Sequence, residues 1–375
     1  MDIYVSVGGN EVGWVIPGDR KWSRKPSMAM MRARTRALRS GEKNEYKEAV
    51  IQKDLGRALR LLASLQSEQE QELKGPEHGA IFAVSELDYW KLLDSCLDAA
   101  DSKLVSAAYA FLQSRRYLPH FAKYRHIVLE GSREVTPMVI KSETGLDVTK
   151  LSPKKWGISG ASSAILIALL CGSSLLSNAI DIRINIGTII GLGLLDSVVL
   201  GGSGLSLISS YWPPHKRRIL VHEAGHLLVA YLMGCPVRGV ILDPFAAMQM
   251  GTQGQAGTQF WDEKLSAELA EEQLSGTSFD RYSMVLFAGM AAEALVYGEA
   301  EGGENDENLF RKICGLLQPQ LSVSEMCNQA RWSVLQSYKL LKWHKDAHKA
   351  AVLALQSGGS LSLVISRIEE AMQST

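Results

Sequence analysis

Between Gly157 and Ile180 the chain carries no charged residue, and Ile158, Ala161, Ala164 through Leu170, Leu175 and Leu176 make the run strongly apolar. A helix of about twenty apolar residues crosses the hydrocarbon core of a bilayer, so this run reads as a membrane span. A second run, Ile184 to Tyr211, is interrupted by a single charge at Asp196, and Asp181 and Arg183 lie in the short link between the two. A carboxylate in mid-span costs several kcal/mol unless it is paired or neutral, which makes Asp196 the exception within the second run. Lys154 and Lys155 precede the first run, and Lys216, Arg217 and Arg218 come after the second. A helical hairpin, the alternative being one spanning helix plus a buried or interfacial segment, puts both basic flanks on one side of the membrane, and the positive-inside rule places the residues beyond the second run on the cytosol-like side. The glycines of Gly187 to Gly193 and Gly201 to Gly204 permit close helix packing in lipid.

The rest of the composition excludes several classes. With 375 residues the chain is long enough for two compact parts, and its 40 basic and 40 acidic residues cancel, which argues against a general nucleic-acid binder. Cys96, Cys171, Cys235, Cys314 and Cys327 include no C-x-x-C pair and are odd in number. They read as reduced, mostly buried thiols rather than a disulfide framework or a cysteine zinc site. No G-x-x-x-x-G-K-[ST] sequence occurs, so no P-loop is assigned.

The first twenty residues include Asp2, Glu11 and Asp19 and lack an apolar core, so they do not read as a secretory signal. From Arg20 to Ser40, basic residues (Arg20, Lys21, Arg24, Lys25, Arg32, Arg34, Arg36, Arg39) alternate with Ser, Ala and Met, and no acid occurs. That composition fits an organelle transit segment, the alternative being a basic arm on an anionic membrane face. From Glu42 to Met138 the pattern is mostly helical, with Tyr46 to Gln66 as one amphipathic stretch and two more between Leu87 and Leu112, divided at Asp101-Ser102. His78, His120 and His126 stand alone in this part, and it reads as a helical interaction module.

The chemistry is concentrated after the apolar runs. His222-Glu223-Ala224-Gly225-His226 sits in a stretch that reads as helix from Arg217 to Met233. Residues four apart share a helix face, so both imidazoles can reach one metal ion while Glu223 holds a water and takes its proton. Catalytic zinc takes three protein ligands, and two downstream carboxylates qualify as the third. Glu293 lies in the apolar segment Gly289 to Gly298, where an unpaired carboxylate is expensive to bury. Asp306 comes after the Gly302-Gly303 turn and opens the next helix, a position that tolerates an acid and allows a ligand to be brought from far along the chain. A second spaced pair, His344 and His348, is crowded by Lys342, Lys345 and Lys349 and reads as a solvated helix face. Helices are also expected over Ser278 to Gly298, Leu309 to Leu317, Val323 to Leu341 and Leu361 to Met372, and Thr252 to Trp261 reads either as an edge strand that pairs with an extended substrate or, given its glycines, as a mobile surface loop.

The order His222-Glu-Ala-Gly-His226, then Ala288-Gly-Met-Ala-Ala-Glu293 with Tyr297-Gly298-Glu299, then Gly302-Gly-Glu-Asn-Asp306 resembles the peptidase domain of the FtsH family of membrane-bound zinc proteases. The resemblance covers roughly Lys216 to Met372 and implies His222, His226 and Asp306 as zinc ligands, Glu223 as catalytic base and Glu293 as a residue that orients a ligand. The chain departs from the family in three ways. It lacks the ATPase module between membrane and peptidase, Ala288-Gly289-Met290 replaces a Gly-Gly-Arg, and the stretch Asp243 to Asp262 is longer than usual. It is most similar to the ATPase-lacking, FtsH-like proteins of plant plastids.

The expected fold is therefore mainly α, with a transmembrane helical hairpin and a helical FtsH-like zinc-peptidase domain carrying a small β-edge element. The expected division is a basic targeting arm over 1–41, a helical N-terminal module over 42–153, the hairpin over 154–215 and the metallopeptidase domain over 216–375. The expected activity is hydrolysis of peptide bonds in unfolded or partner-delivered proteins by a membrane-anchored zinc (Zn2+) metalloendopeptidase without its own ATPase. The peptidase is expected on the stromal side of a chloroplast membrane, thylakoid or envelope. Its expected partners are protein substrates, the membrane, and further copies of itself or ATPase-bearing relatives, with no nucleic acid. The alternative is a catalytically silent relative that acts as an assembly factor. A third reading, an intramembrane protease completed by Leu242-Asp243-Pro244, suffers because that triplet comes too soon after His226 and the Lys216 to Arg218 cluster ends the span before the motif.

Overall fold

The computed structural model describes residues 86–98, 101–125, 133–153, 213–242, 257–271, 275–317 and 319–373, together with short pieces between 37 and 83. The basic arm up to residue 36, both apolar runs and Asp243 lie outside the described residues. Among the described residues no helix is long and apolar enough to cross a membrane.

The chain is mainly helical, as expected. A two-residue pair, β1 (Ala37–Leu38) and β2 (Phe82–Ala83), precedes α1 (Glu86–Asp98) and α2 (Ser102–Ser114). The break between α1 and α2 falls at Asp101, whose Oδ1 accepts hydrogen bonds from the free N–H groups of Lys103 (2.9 Å) and Leu104 (3.2 Å). Then come α3 (Pro137–Thr144), a 3-10 turn over Val148–Leu151, and α4 (Pro213–Leu232). A hairpin of β3 (Val237–Ile241) and β4 (Gly257–Phe260) leads to α5 (Glu263–Ala270) and α6 (Gly276–Tyr297). The chain ends with α7 (Glu304–Cys314), α8 (Val323–Trp343), α9 (Lys345–Gln356) and α10 (Leu361–Gln373).

Helix α4 is the axis of the molecule. Every residue from Leu220 to Val237 is buried, so the helix has no solvent face over its last turns and packs against α6, α8, α9 and the β-hairpin at once. Leu227, Leu228, Val229 and Leu232 supply apolar groups on all sides, the pattern of a core helix rather than a surface one. Helix α6 comes very close to it. A Cβ on Gly225 would lie 2.6 Å from the Ala292 Cβ and 2.7 Å from the Ala288 carbonyl oxygen. The small residues Ala288, Gly289, Ala291 and Ala292 therefore let the two backbones approach.

The segment before the apolar runs shares this core. Tyr109 donates to the Val237 carbonyl (2.8 Å), and the N–H groups of Ala122 and Tyr124 satisfy the terminal carbonyls of α4 at Tyr231 (3.1 Å) and Leu232 (3.0 Å). Ala122 adopts positive φ in this cap. Its Cβ lies where one on Gly234, the residue that turns the chain out of α4, would approach to 2.7 Å.

One expectation needs correction, and another is made specific. The pair His344 and His348 does not share one exposed helix: α8 ends at Trp343, His344 is the junction residue, and α9 begins at Lys345. His348 is buried and its Nε2 meets the Val221 carbonyl at 3.0 Å, while His344 Nε2 lies 2.8 Å from the Tyr124 hydroxyl. His120, alone in its own segment, is a satisfied residue: its Nδ1 sits 2.5 Å from Oε2 of the buried Glu369, which the Tyr231 hydroxyl also contacts. Lysine density suggested a solvated face in the first case, but helix geometry places neighbouring positions on opposite sides.

Candidate metal centre

Helix α4 carries His222 and His226 one turn apart, with ring centroids 4.7 Å from each other. Each ring is fixed through its Nδ1. His222 Nδ1 lies 2.7 Å from Glu293 Oε1, and His226 Nδ1 lies 2.7 Å from the Val285 carbonyl oxygen, both on α6. A carbonyl oxygen and an ionised carboxylate can only accept, so both Nδ1 atoms carry a proton and both Nε2 atoms are left for another partner. They point to the same place. Asp306 Oδ2 lies 3.2 Å from His222 Nε2 and 3.5 Å from His226 Nε2. The three donor atoms all lie within 4.8 Å of one another, a group that could hold a metal ion.

Asp306 arrives in the first turn of α7, whose preceding residue Gly303 has φ of 101°. The two glycines are required by contact as well as by conformation. A Cβ on Gly302 would stand 2.8 Å from Glu293 Oε1, and one on Gly303 would stand 2.4 Å from Met290 Cγ. Met290 is fully buried and fills the space beneath this turn.

Glu293, one of the two carboxylates the sequence offered as a third ligand, faces the other nitrogen of His222 instead. Four donors surround it: His222 Nδ1, Arg218 Nη1 (2.8 Å), the Glu301 N–H (2.9 Å) and the Gly302 N–H (3.2 Å). Burial works against its charge, but the bonds from His222 and Arg218 hold the carboxyl below its ordinary value. Arg218 also donates to the Glu299 carbonyl (3.0 Å) and stacks its guanidinium over Tyr297 at 4.4 Å. In the sequence Arg218 stands out only as part of a basic flank. Its position four residues before His222, on the same helix face, was the available signal.

The charges of the site support each other. Burial opposes protonation of His222 and His226, yet their contacts with Asp306 raise both above the ordinary imidazole value, His222 by a wide margin. Burial likewise opposes ionisation of Asp306, and the two imidazoles hold its carboxyl well below the usual carboxylate range. The point where both Nε2 atoms meet the Asp306 carboxylate thus calls for positive charge, carried by protons on the rings or by a metal ion in their place. With a cation in the protons' place the imidazoles are neutral, and these two rings, each held at Nδ1 by a further partner, with the Asp306 carboxylate are a donor set suited to zinc.

Glu223 points toward the β-hairpin. The Thr258 hydroxyl on β4 lies 2.9 Å from Glu223 Oε2 and 3.1 Å from its carbonyl oxygen. Gly257, at φ 139°, brings the strand so near that a Cβ there would be 3.6 Å from Oε2. The expected edge strand over Thr252 to Trp261 is present as β4 (Gly257–Phe260), paired antiparallel to β3 on one side, with residues 251–256 outside the described residues. Thr258 as a partner of Glu223 was not legible in the sequence. Gly289 was not either: a Cβ there would lie 2.3 Å from His222 Nε2.

No protein-family model, no curated protein and no solved structure matches this chain, so the functional reading starts from these side chains.

Proposed function

We propose that the chain is a membrane-anchored zinc metalloendopeptidase acting on unfolded or partner-delivered proteins. The observation that carries this reading is the convergence of His222 Nε2, His226 Nε2 and Asp306 Oδ2, with Glu223 on the same helix beside a strand edge. Zinc bound by these three residues supplies Lewis acidity toward a water and a scissile carbonyl. Glu223 takes the proton from the attacking water and delivers it to the leaving amine. Thr258 donates a hydrogen bond to the Glu223 carboxylate and limits its rotation. An extended peptide laid along β4 gains main-chain hydrogen bonds and brings its backbone close to Glu223. No P-loop occurs in the 375 residues, which favours substrates that are already unfolded or are handed over by ATPase-bearing relatives. The transit-like arm and the basic flanks of the two apolar runs support a plastid membrane with the peptidase on the stromal side.

The test pairs zinc content with cleavage of unfolded casein for the wild type and Glu223→Gln. Stoichiometric zinc in both, with cleavage in the wild type alone, is the expected result. Zinc in both with cleavage in neither supports the binding-only alternative, and absence of zinc from both rejects the site.

A further inference from the structure

The two ends of the segment 154–212 leave the folded unit side by side. Lys150, in the 3-10 turn just before that segment, pairs with Glu299 through a 2.5 Å contact, and its carbonyl accepts from the Ala300 N–H at 2.8 Å. Arg218, in the second turn after the segment, binds the Glu299 carbonyl and pairs with Glu301 at 3.4 Å. Both chain exits are therefore tied to the same three residues at the end of α6. That end also presents exposed apolar surface: Val296 is 49% and Tyr297 37% exposed, with Arg218 stacked on the Tyr297 ring. Of the acids on and beside this face, Asp147 pairs with Lys141, Glu299 with Lys150, and Glu301 with Arg218, which also serves Glu293, while Lys216 and Arg217 are exposed on the first turns of α4. The sequence adds Lys154, Lys155 and Trp156 at one exit and Tyr211 and Trp212 at the other. Basic and aromatic residues flanking apolar runs settle at a headgroup layer.

We infer that the face built from the first turns of α4, the 3-10 turn over Val148–Leu151 and Val296-Tyr297 docks against an anionic lipid surface. The inference rests on the membrane-anchored reading and deepens it. Roughly 14 Å of helix separates Pro213 from His222, so the metal-binding triad is held close to the headgroups rather than at the end of a long stalk. The substrates that fit such a position are stretches of protein chain next to the membrane, presented parallel to its surface. Soluble proteins reach it only when brought to the bilayer.

The full chain is reconstituted into phosphatidylcholine vesicles containing phosphatidylglycerol with a photoactivatable headgroup, irradiated, and its lipid adducts are mapped by mass spectrometry. Adducts are expected at 148–150, 216–217 and 296–297. None are expected at Val323, which is 71% exposed but begins α8, whose Gln329 contacts Asp280 about 25 Å along α6 from Tyr297. The double variant Lys216→Glu, Arg217→Glu should insert like the wild type, as judged by resistance to carbonate extraction, and lose adducts at this face several-fold. Insertion with adducts on other faces, or with an undiminished yield in the double variant, overturns the docking surface and leaves the anchored protease standing. Extraction of the wild type by carbonate overturns both.

Discussion

The imidazole of His222 is held at Nδ1 by a carboxylate whose every oxygen lone pair in use faces a donor: His222, Arg218 and the N–H groups of Glu301 and Gly302. Glu293→Gln replaces one oxygen by an amide that donates, and neither orientation finds an acceptor. Zinc affinity should fall by about 10–100-fold, the usual effect of removing a partner behind a ligating histidine, with the ligands themselves untouched; competition with a chromophoric chelator measures it. Gly289→Ala should be harsher, because the added methyl overlaps the His222 ring and backbone must move to admit it. About 1–3 kcal/mol of stability and most of the zinc should be lost, whereas unchanged zinc stoichiometry would refute the close approach of α6 to the His222 ring. The second histidine pair makes a prediction about acid. Burial, with help from Lys123 and His120, pushes His344 down to about 4, and burial lowers His348 as well. The unfolded chain then binds more protons than the folded one between about pH 6.5 and 4, so the stability tied to these neutral rings is present above that window and lost as pH falls through it. Melting temperatures of His344→Gln and of its parent should therefore converge as pH drops from 7 toward 4. A gap that stays constant would show that His344 does not charge on unfolding.

At the scale of elements, the sequence was most informative where a signal is local. Asp101 marked the break between α1 and α2, the Gly302-Gly303 turn marked the entry of α7, and apolar periodicity marked α6, because caps, turns and periodicity act over one or two helical turns. Apolar spacing places α7 over Leu309 to Leu317 and the glycine turn puts its opening at Asp306; it runs from Glu304, where three acids in the first turn and the left-handed Gly303 set its start. The partners of the site were legible only in part. His222, His226 and Asp306 carry their chemistry in their side chains, while the Val285 carbonyl is a backbone group that any residue could offer, and Thr258 acts through a strand register that spacing does not reveal. Strand β4 thereby gains a role that its length of four residues did not advertise. Thr258→Val keeps shape and β-propensity but removes the hydroxyl from Glu223. The expected outcome is a kcat for a short peptide reduced about tenfold, or roughly 1.4 kcal/mol in barrier, with KM and zinc content unchanged. A rise in KM at constant kcat would instead assign Thr258 to substrate binding.

For the whole molecule, the question is whether the residues before the apolar runs form a module that could be detached. Val105, Tyr109, Leu112, Leu118, Phe121 and Ile140 belong to the same buried core as α4 and α6. Polar contacts across the division are equally specific. Arg133 pairs with Asp280, Asn328 exchanges hydrogen bonds with the Arg133 carbonyl (2.6 Å) and the Val135 N–H (2.8 Å), and Glu369 accepts the His120 N–H at 3.0 Å. None of this was legible in the sequence, because periodicity describes a helix and its apolar face but not which distant helix will cover that face. Without residues 86–153, Glu369 and Asp280 lose the cations and N–H groups that face them, the end of α4 loses its cap, and the apolar surface beneath α2 is bared. Leaving a buried charge without its partner costs about 3–5 kcal/mol, and a domain's whole stability is only about 5–15 kcal/mol. A fragment spanning 213–375 should therefore fail to melt cooperatively and should bind the dyes that report exposed apolar surface. Asp280→Ala in the full chain should reproduce part of that loss while leaving zinc binding at low temperature intact, since Asp280 does not touch the triad. Calorimetry of the three proteins in one detergent decides the matter: a fragment that melts sharply, near the temperature of the full chain, would mean that the half bearing His222, His226 and Asp306 carries its own fold and that the shared core is a docking contact rather than a structural requirement.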